Sequence, residues 1–315
     1  MYILGFDIGG TKCAVITAQW DGKHITIRKK EKCPTDLAIS PEEMIEKLIT
    51  MADGILEKTP EAIGISCGGP LNSSQGIIMR PPNLPGWDNV PIADQIRQHY
   101  DVPVKLQNDA NACAVAEWKF GAGIGCRNII FLTFGTGLGA GLILNGALYS
   151  GTNDNAGELG HIRLSNFGPV GFGKSGSFEG FCSGGGIAQL GYIKALEKVQ
   201  QGVYPLYFKK GYTQSDITAK AIAEAARAGD ETAIDVYRCC GEYLGKGLSI
   251  VIDLLNPERI IIGSIFARSR DLLWEFAKKE IESEALSQSV SCCSIVPAAL
   301  GEQIGDYAAV AVALS

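Results

Sequence analysis

Apolar positions along the chain fall into strand-like runs and helical spacings that alternate. Tyr2 to Phe6 is a strand that runs into Asp7-Ile8-Gly9-Gly10-Thr11-Lys12, and a second apolar run follows from Cys13 to Ala18. Strand, glycine turn and strand predict a β-hairpin. Ser40-Pro41-Glu42-Glu43 reads as a capping box with proline at the first helical position, after which Met44, Leu48, Met51 and Ile55 recur at helical spacing. A buried strand is expected from Ala62 to Ser66, running into Cys67-Gly68-Gly69-Pro70. Another is expected from Val104 to Gln107, ending in Asn108-Asp109 before a helix from Ala110 to Phe120.

At Asn128 the pattern restarts. Ile129 to Thr133 is a strand, Gly135-Thr136-Gly137 a turn, and Gly139 to Leu144 a return strand. An offset of 126 lays Asp7 on Thr133, Gly9 on Gly135 and Ala14 on Ala140. One repeated supersecondary unit points to two related α/β halves; the alternative is that any two glycine hairpins look alike. Helices are expected over Ile187 to Val199, Asp216 to Ala228 and Glu231 to Leu255, with a buried strand from Arg259 to Ile262 before Gly263. A last small-residue helix, Gln303 to Leu314, is expected to pack back on the first half. The division reads as an N-terminal domain of 1–112 plus 301–315 and a larger C-terminal domain of 113–300.

Composition removes several function classes. The 315 residues carry 28 Lys+Arg against 34 Asp+Glu, a net charge of −6, and the longest basic run is Arg28-Lys29-Lys30. Duplex binding relies on clustered cations that displace counterions, so no nucleic-acid partner is expected. No run of 18 apolar residues suggests a membrane span, and the first residues lack the n-region and cleavage site of a signal peptide. The 10 cysteines then read as reduced thiols of a cytoplasmic protein. Glycine is abundant, 39 of 315, against a typical ~7%.

Two matches to phosphate-binding patterns are decoys. Gly168 to Ser175 fits G-x-x-x-x-G-K-[ST], but no buried strand precedes it and Gly176 to Gly180 starts a helix poorly. Gly135 to Ala140 fits G-x-G-x-x-A, yet a strand follows where that fingerprint demands a helix. The glycine turns have another chemical reading. Backbone N–H groups of side-chain-free turns converge on phosphates, and Asp7 is placed to meet a hydrated Mg²⁺. The plain alternative is a pair of tight turns with no ligand. Asp109, where a strand ends, is placed either to accept a hydroxyl proton in a phosphoryl transfer or merely to cap its helix. Glu158, His161 and Glu179 form an acceptor-rich set suited to a polyhydroxylated ligand.

Taken together these segments resemble the ROK family of sugar kinases and sugar-responsive repressors, which has the actin/hexokinase-like ATPase fold. The resemblance is carried by Leu4 to Lys12, Pro82 to Trp87, Asn108-Asp109-Ala110-Asn111-Ala112, Gly135 to Gly141, Gly157-Glu158-Leu159-Gly160-His161 and Ile260-Ile261-Ile262-Gly263. It implies two actin-like, ribonuclease H-like α/β domains closing over a central cleft. It further implies an ATP- and Mg²⁺-dependent hexose kinase that phosphorylates a primary hydroxyl. Asp109 would be the base, with Gly69, Asn83, Asn108, Asp109, Glu158, His161 and Glu179 around the sugar. Asp7, Gly9, Gly10, Thr11, Lys12, Thr133, Gly135, Thr136, Gly137 and Gly263 would bind the nucleotide. A homodimer is expected. Glucose is the favoured substrate; N-acetylglucosamine, N-acetylmannosamine, allose and fructose are the alternatives, as is a catalytically weak sugar-binding regulator. The family's zinc cysteines are replaced here by Val170, Phe172 and Ser177, so no zinc is expected. The loop must then be held by apolar packing through Phe172 and Phe178. The repressor branch carries a helix-turn-helix before the first strand, so that role is not expected.

Overall fold

The computed structural model describes residues 1–315. The chain opens with β1 (Tyr2–Ile8), β2 (Lys12–Trp20), β3 (Ile25–Pro34), α1 (Pro41–Ile55) and β4 (Ala62–Cys67). The short strands β5 (Leu71–Asn72) and β6 (Ile77–Ile78) lead to α2 (Ile92–Tyr100), β7 (Val104–Asn108) and α3 (Asp109–Phe120). Then come β8 (Ile129–Phe134), β9 (Leu138–Leu144), β10 (Ala147–Leu148), β11 (Val170–Gly171) and β12 (Lys174–Ser175). Four helices follow: α4 (Phe178–Phe181), α5 (Gly184–Gln200), α6 (Ala219–Arg227) and α7 (Glu231–Leu255). The chain ends with β13 (Arg259–Ile262), α8 (Ile265–Glu284), α9 (Ser287–Cys292), β14 (Ser294–Pro297) and α10 (Ile304–Ala313).

The two large sheets have the same construction. Their strand orders are β3-β2-β1-β4-β7 and β10-β9-β8-β13-β14. The offset of 126 carries β1 onto β8 and β2 onto β9, and the remaining strands then correspond in spatial order as well. A whole five-stranded sheet is repeated, not a hairpin alone.

The chain divides into two compact units, Met1–Phe131 with Gly141–Ala156 and Ala299–Ser315, and Leu132–Ala140 with Gly157–Ala298. In the first unit, α1 begins as the capping box requires. Ser40 Oγ accepts the Glu43 N–H at 3.2 Å, and Glu43 Oε2 accepts the Ser40 N–H at 2.8 Å. The helix buries Met44, Ile45, Leu48 and Ala52 against one face of the first sheet. On the other face lies α10, whose Ala309 and Val310 pack with Ile3 and Ile16. Gly64 permits this approach, since a Cβ there would stand 2.1 Å from the Ala309 carbonyl oxygen. In the second unit, α7 and α8 pack equally closely, a Cβ at Gly245 falling 2.5 Å from the Ala277 carbonyl oxygen.

Among the elements that the sequence reading does not anticipate are β3, α2, α8 and β14. Edge strand β3 exposes charged residues such as Arg28, Lys29 and Lys32, the pattern of a strand protected from pairing with another chain. The expected helix at Asp216 starts instead at Ala219, capped by Thr218, whose Oγ1 accepts the Ala221 N–H. All ten cysteines are free thiols. No helix is long and apolar enough to cross a membrane.

Candidate active site

In the first unit the candidate residues gather at the carboxyl ends of three parallel strands. Asp7 is the last residue but one of β1, and the register places Ile8, Cys67 and Asn108 side by side across β1, β4 and β7. Ligands in α/β sheets collect at this edge. The turn after β1 is tight: the Gly9 N–H donates to the Lys12 carbonyl at 3.1 Å, and Thr35 Oγ1 donates to the Gly9 carbonyl at 2.6 Å. Gly10 lies against the loop that carries Asn83, since a Cβ there would be 2.4 Å from the Asn83 carbonyl oxygen. Thr11 and Lys12 are exposed on the turn, as is Asn83 on its loop. Gly69 faces the Asn108 side chain, its missing Cβ position lying 3.0 Å from Nδ2.

Asp109 is the first residue of α3, and the cap is its neighbour: Asn108 Oδ1 accepts the Ala110 N–H at 2.9 Å. The same N–H also donates to Asp109 Oδ1 at 2.8 Å, so the two side chains share it, with Asn108 in the cap position. Asp109 is exposed at the surface, yet protein atoms crowd its carboxyl group. This desolvation raises its pKa, opposed by a hydrogen bond from the Ala110 N–H. Solvent access together with a raised pKa suits a group that must accept a proton.

Asp7 sits in a field no local motif predicts. Its pKa is pushed up to about 6, first by burial, then by Asp306 and Asp109, against the opposing pull of Lys30 and Lys12. Asp306, in the first turn of α10, forms an ion pair with Lys30 of β3. Gly305 fits directly over Asp7, its missing Cβ position 3.0 Å from Asp7 Oδ2. Asp306 and Lys30 escape sequence reasoning because 276 residues separate them and only packing of α10 joins them.

In the second unit, Thr133 is the half-buried residue before the end of β8, and its Oγ1 accepts the Gly139 N–H at 2.9 Å. Between them the Gly135 N–H donates to the Gly137 carbonyl at 3.1 Å, leaving Thr136 exposed at the tip. The start of α5 backs this turn, the Gly184 N–H donating to the Gly135 carbonyl at 2.8 Å. Gly263 is buried after β13, beside Ser264, which adopts φ 54° and ψ −109° before α8. Such a conformation is rare for a residue with a side chain. Ser264 Oγ accepts a hydrogen bond from Arg268 Nη2 at 3.0 Å.

Glycine spacing explains how Glu158 and His161 are presented. A Cβ at Gly157 would stand 2.1 Å from the Ala140 carbonyl oxygen, and one at Gly160 would stand 2.1 Å from that of Leu138. Both glycines lie flat on β9, and the intervening turn leaves Glu158 and His161 exposed. Glu179, in α4, reaches the same strand: its Oε2 accepts the Leu138 N–H at 3.0 Å. Glu158, His161 and Glu179 thus sit around the first residues of β9.

The segment from Gly168 to Ser175 is a hairpin, with Val170 opposite Ser175 and Gly171 opposite Lys174. It has no helix to receive phosphates, and Lys174 Nζ is bonded to the His161 carbonyl at 2.7 Å. Likewise β9, a strand, follows Gly135–Gly137. Both decoy patterns are rejected on their structural context.

The expectation that Phe172 holds this loop is wrong. Phe172 is 73% exposed and meets only the edge of the His161 ring, with centroids 6.2 Å apart. Phe178 is the apolar anchor: 1% exposed, it lies over Gly247 of α7, where a Cβ would come within 2.3 Å of its ring. Phe181 assists by stacking on Tyr243 with centroids 3.5 Å apart. Polar groups do the rest. Ser177, at a position where the family resemblance implies a zinc cysteine, accepts the Gly180 N–H at 3.1 Å through Oγ. No group of three or more His, Cys, Asp or Glu residues is arranged to hold a metal ion.

Known proteins resemble this chain in sequence and in fold. A glucokinase from Halalkalibacterium halodurans is 32% identical over 96% of this chain and 92% of its own length. The crystal structure of a ROK family glucokinase from Streptomyces griseus, in complex with glucose and AMPPNP, superposes with a TM-score of 0.79 at 29% identity, covering 100% of this chain and 99% of that one. A xylose repressor from Caldicellulosiruptor bescii is 30% identical over 83% of this chain and 65% of its own length. The fold is thus that of the actin-like ATPases, and with residues 3–315 matching the family as a whole, the chain belongs to the ROK family.

Proposed function

We propose that this chain is an ATP-dependent hexose kinase that phosphorylates a primary hydroxyl, with glucose as the favoured sugar. The observation that carries the reading is Asp109: solvent-accessible, raised in pKa, and set one residue past the cap position, which Asn108 occupies. In this reading Asp109 accepts the proton of the attacking hydroxyl, a contribution of about 10²–10⁴-fold. Gly69, Asn83, Asn108, Glu158, His161 and Glu179 orient the sugar. Backbone amides of the turns at Gly9–Lys12 and Gly135–Gly137, with Thr133, hold phosphates, and Gly263 borders the adenosine. The glucokinase relatives support glucose, and the AMPPNP held by the Streptomyces griseus enzyme supports ATP.

No cluster of carboxylates is arranged to coordinate a metal directly, so a magnesium ion would meet Asp7 alone, and through water. Asp7 stands beside Asp306 and Asp109 with its pKa raised, and a divalent cation held through water by Asp7 would relieve that crowding of negative charge. When bound, the ion neutralises charge on the phosphates.

The xylose repressor relative supports a second reading, a sugar-binding regulator that keeps the fold but turns over weakly. Coupled detection of ADP over a panel of glucose, N-acetylglucosamine, N-acetylmannosamine, allose and fructose decides between them. Saturable turnover with glucose as the best substrate is expected, and no turnover above background with any sugar favours the regulator. In the active case Asp109→Asn lowers kcat at least about a hundredfold while sugar binding persists.

A further inference from the structure

Gln107, the residue before the Asn108-Asp109 pair, belongs to none of the groups above. It is 7% exposed at the end of β7, and its side chain folds back over the junction between β7 and α3. Gln107 Oε1 accepts two hydrogen bonds, from the Asn108 N–H at 2.7 Å and from Asn111 Nδ2 at 3.1 Å. These donors flank Asp109 in sequence. With Asn108 Oδ1 also accepting the Ala110 N–H, the junction is tied at residues 108, 110 and 111. Asp109 is the one exposed residue from 107 to 112.

Asn111 shows how much rests on the glutamine. It is 1% exposed, and its Oδ1 is buried without a hydrogen-bond partner. An unpaired buried carbonyl is disfavoured, so the bond to Gln107 is what orients the Asn111 amide. Both bonds end on one oxygen. The position therefore calls for an acceptor of glutamine's length, and a hydrophobic side chain of similar shape would leave two donors without a partner.

We propose that Gln107 is a positioning residue for Asp109, acting through a single acceptor oxygen that ties residue 108 to residue 111. It touches no substrate. Its effect runs through the backbone at the start of α3, where a displacement of about 1 Å is enough to change a rate by about 10². The inference rests on the reading of Asp109 as the base.

The test compares full-length variants in steady-state kinetics with the best sugar. Gln107→Met, which keeps the length and removes the acceptor, is expected to lower kcat by about 10- to 100-fold with KM for the sugar within about twofold. Gln107→Glu keeps the acceptor and is expected to restore kcat to within about fivefold of wild type, a rescue that mere packing would not produce. Ser40→Ala, which removes the cap of α1, serves as the destabilised control and should lower Tm with kcat unchanged. If Gln107→Met does not fold, Asn111→Ala removes one end of the same tie and is expected to lower kcat without raising KM. Retention of kcat by Gln107→Met, or equal loss in the Met and Glu variants, overturns the proposal. Asp109→Asn in the same series separates the two failures. If it retains kcat, the base reading falls and the positioning role with it. If it loses kcat while Gln107→Met does not, only the positioning role falls.

Discussion

Glu179 Oε2 accepts the Leu138 N–H at 3.0 Å, so a carboxylate expected to meet the sugar is tied to the strand that follows the second glycine turn. Gly137 makes room for it: a Cβ there would lie 2.7 Å from Glu179 Oε2. The turn is thus shaped for its own hydrogen bonds and for the carboxylate beside it.

Gly137→Ala should therefore displace Glu179 without unfolding the protein, because the clash falls on the end of a flexible side chain. Loss of one oriented hydrogen bond predicts a rise of about tenfold in KM for the sugar. Steady-state kinetics beside a thermal melt checks this, and an unchanged KM for the sugar contradicts it.

Asp7 links the site to stability. Its pKa in the folded protein is about 6, above the ~3.9 of a free aspartate. Between these values the folded state binds more protons than the unfolded state, so stability falls as pH rises through the window. Asp7→Asn should abolish activity and yet raise Tm above pH 6, the gain shrinking to nothing below about pH 4. Melting curves of both proteins, without nucleotide or Mg²⁺, across that range test the sign. A variant less stable than wild type at pH 8 refutes it.

The packing of α10 on the first sheet predicts a graded pair of effects. A Cβ at Gly64 would lie 2.1 Å from the Ala309 carbonyl oxygen and 2.7 Å from the Ala313 nitrogen, both backbone atoms. One at Gly5 would lie 3.1 Å from Ala309 Cβ, a contact that small shifts relieve. Gly64→Ala should destabilise by about 3 kcal/mol or more and Gly5→Ala by about 1 kcal/mol. Urea unfolding measures both, and equal losses would show that α10 does not set the cost.

The loop from 168 to 179 should stand without metal. A chelator is expected to leave Tm unchanged, and the purified protein to carry only substoichiometric zinc. Phe178→Ala should cost about 3–5 kcal/mol, as for other buried phenylalanines, and Phe172→Ala less than about 0.5 kcal/mol. Stoichiometric zinc, or a large loss at Phe172, reverses this account.

Much of the site is local in sequence and could be read there. Asp7, the glycine turns and Asn108-Asp109 each combine a strand end with residues whose chemistry is plain, and the Gly157–His161 stretch sets two polar residues beside two glycines. Their spacing follows from hairpins and strand-to-helix junctions a few residues long. Asp306, Lys30 and Ser264 were not legible, because nothing near them in sequence marks a ligand site. The exposure of Phe172 is not legible in the sequence because an aromatic residue in a loop gives no sign of which way it faces.

The sequence by itself determined the strand–turn–strand repeat, the helix caps and the chemical types at each strand end, since these depend on short-range periodicity, backbone freedom and local hydrogen bonding. Only the tertiary structure decided that α10 brings Asp306 to Asp7, that Asn108 and not Asp109 takes the cap position of α3, and that Phe178 and not Phe172 anchors the loop. Each of those outcomes depends on which surfaces meet after distant segments pack. Burial and charge at one residue are then set by neighbours that the order of the chain does not reveal.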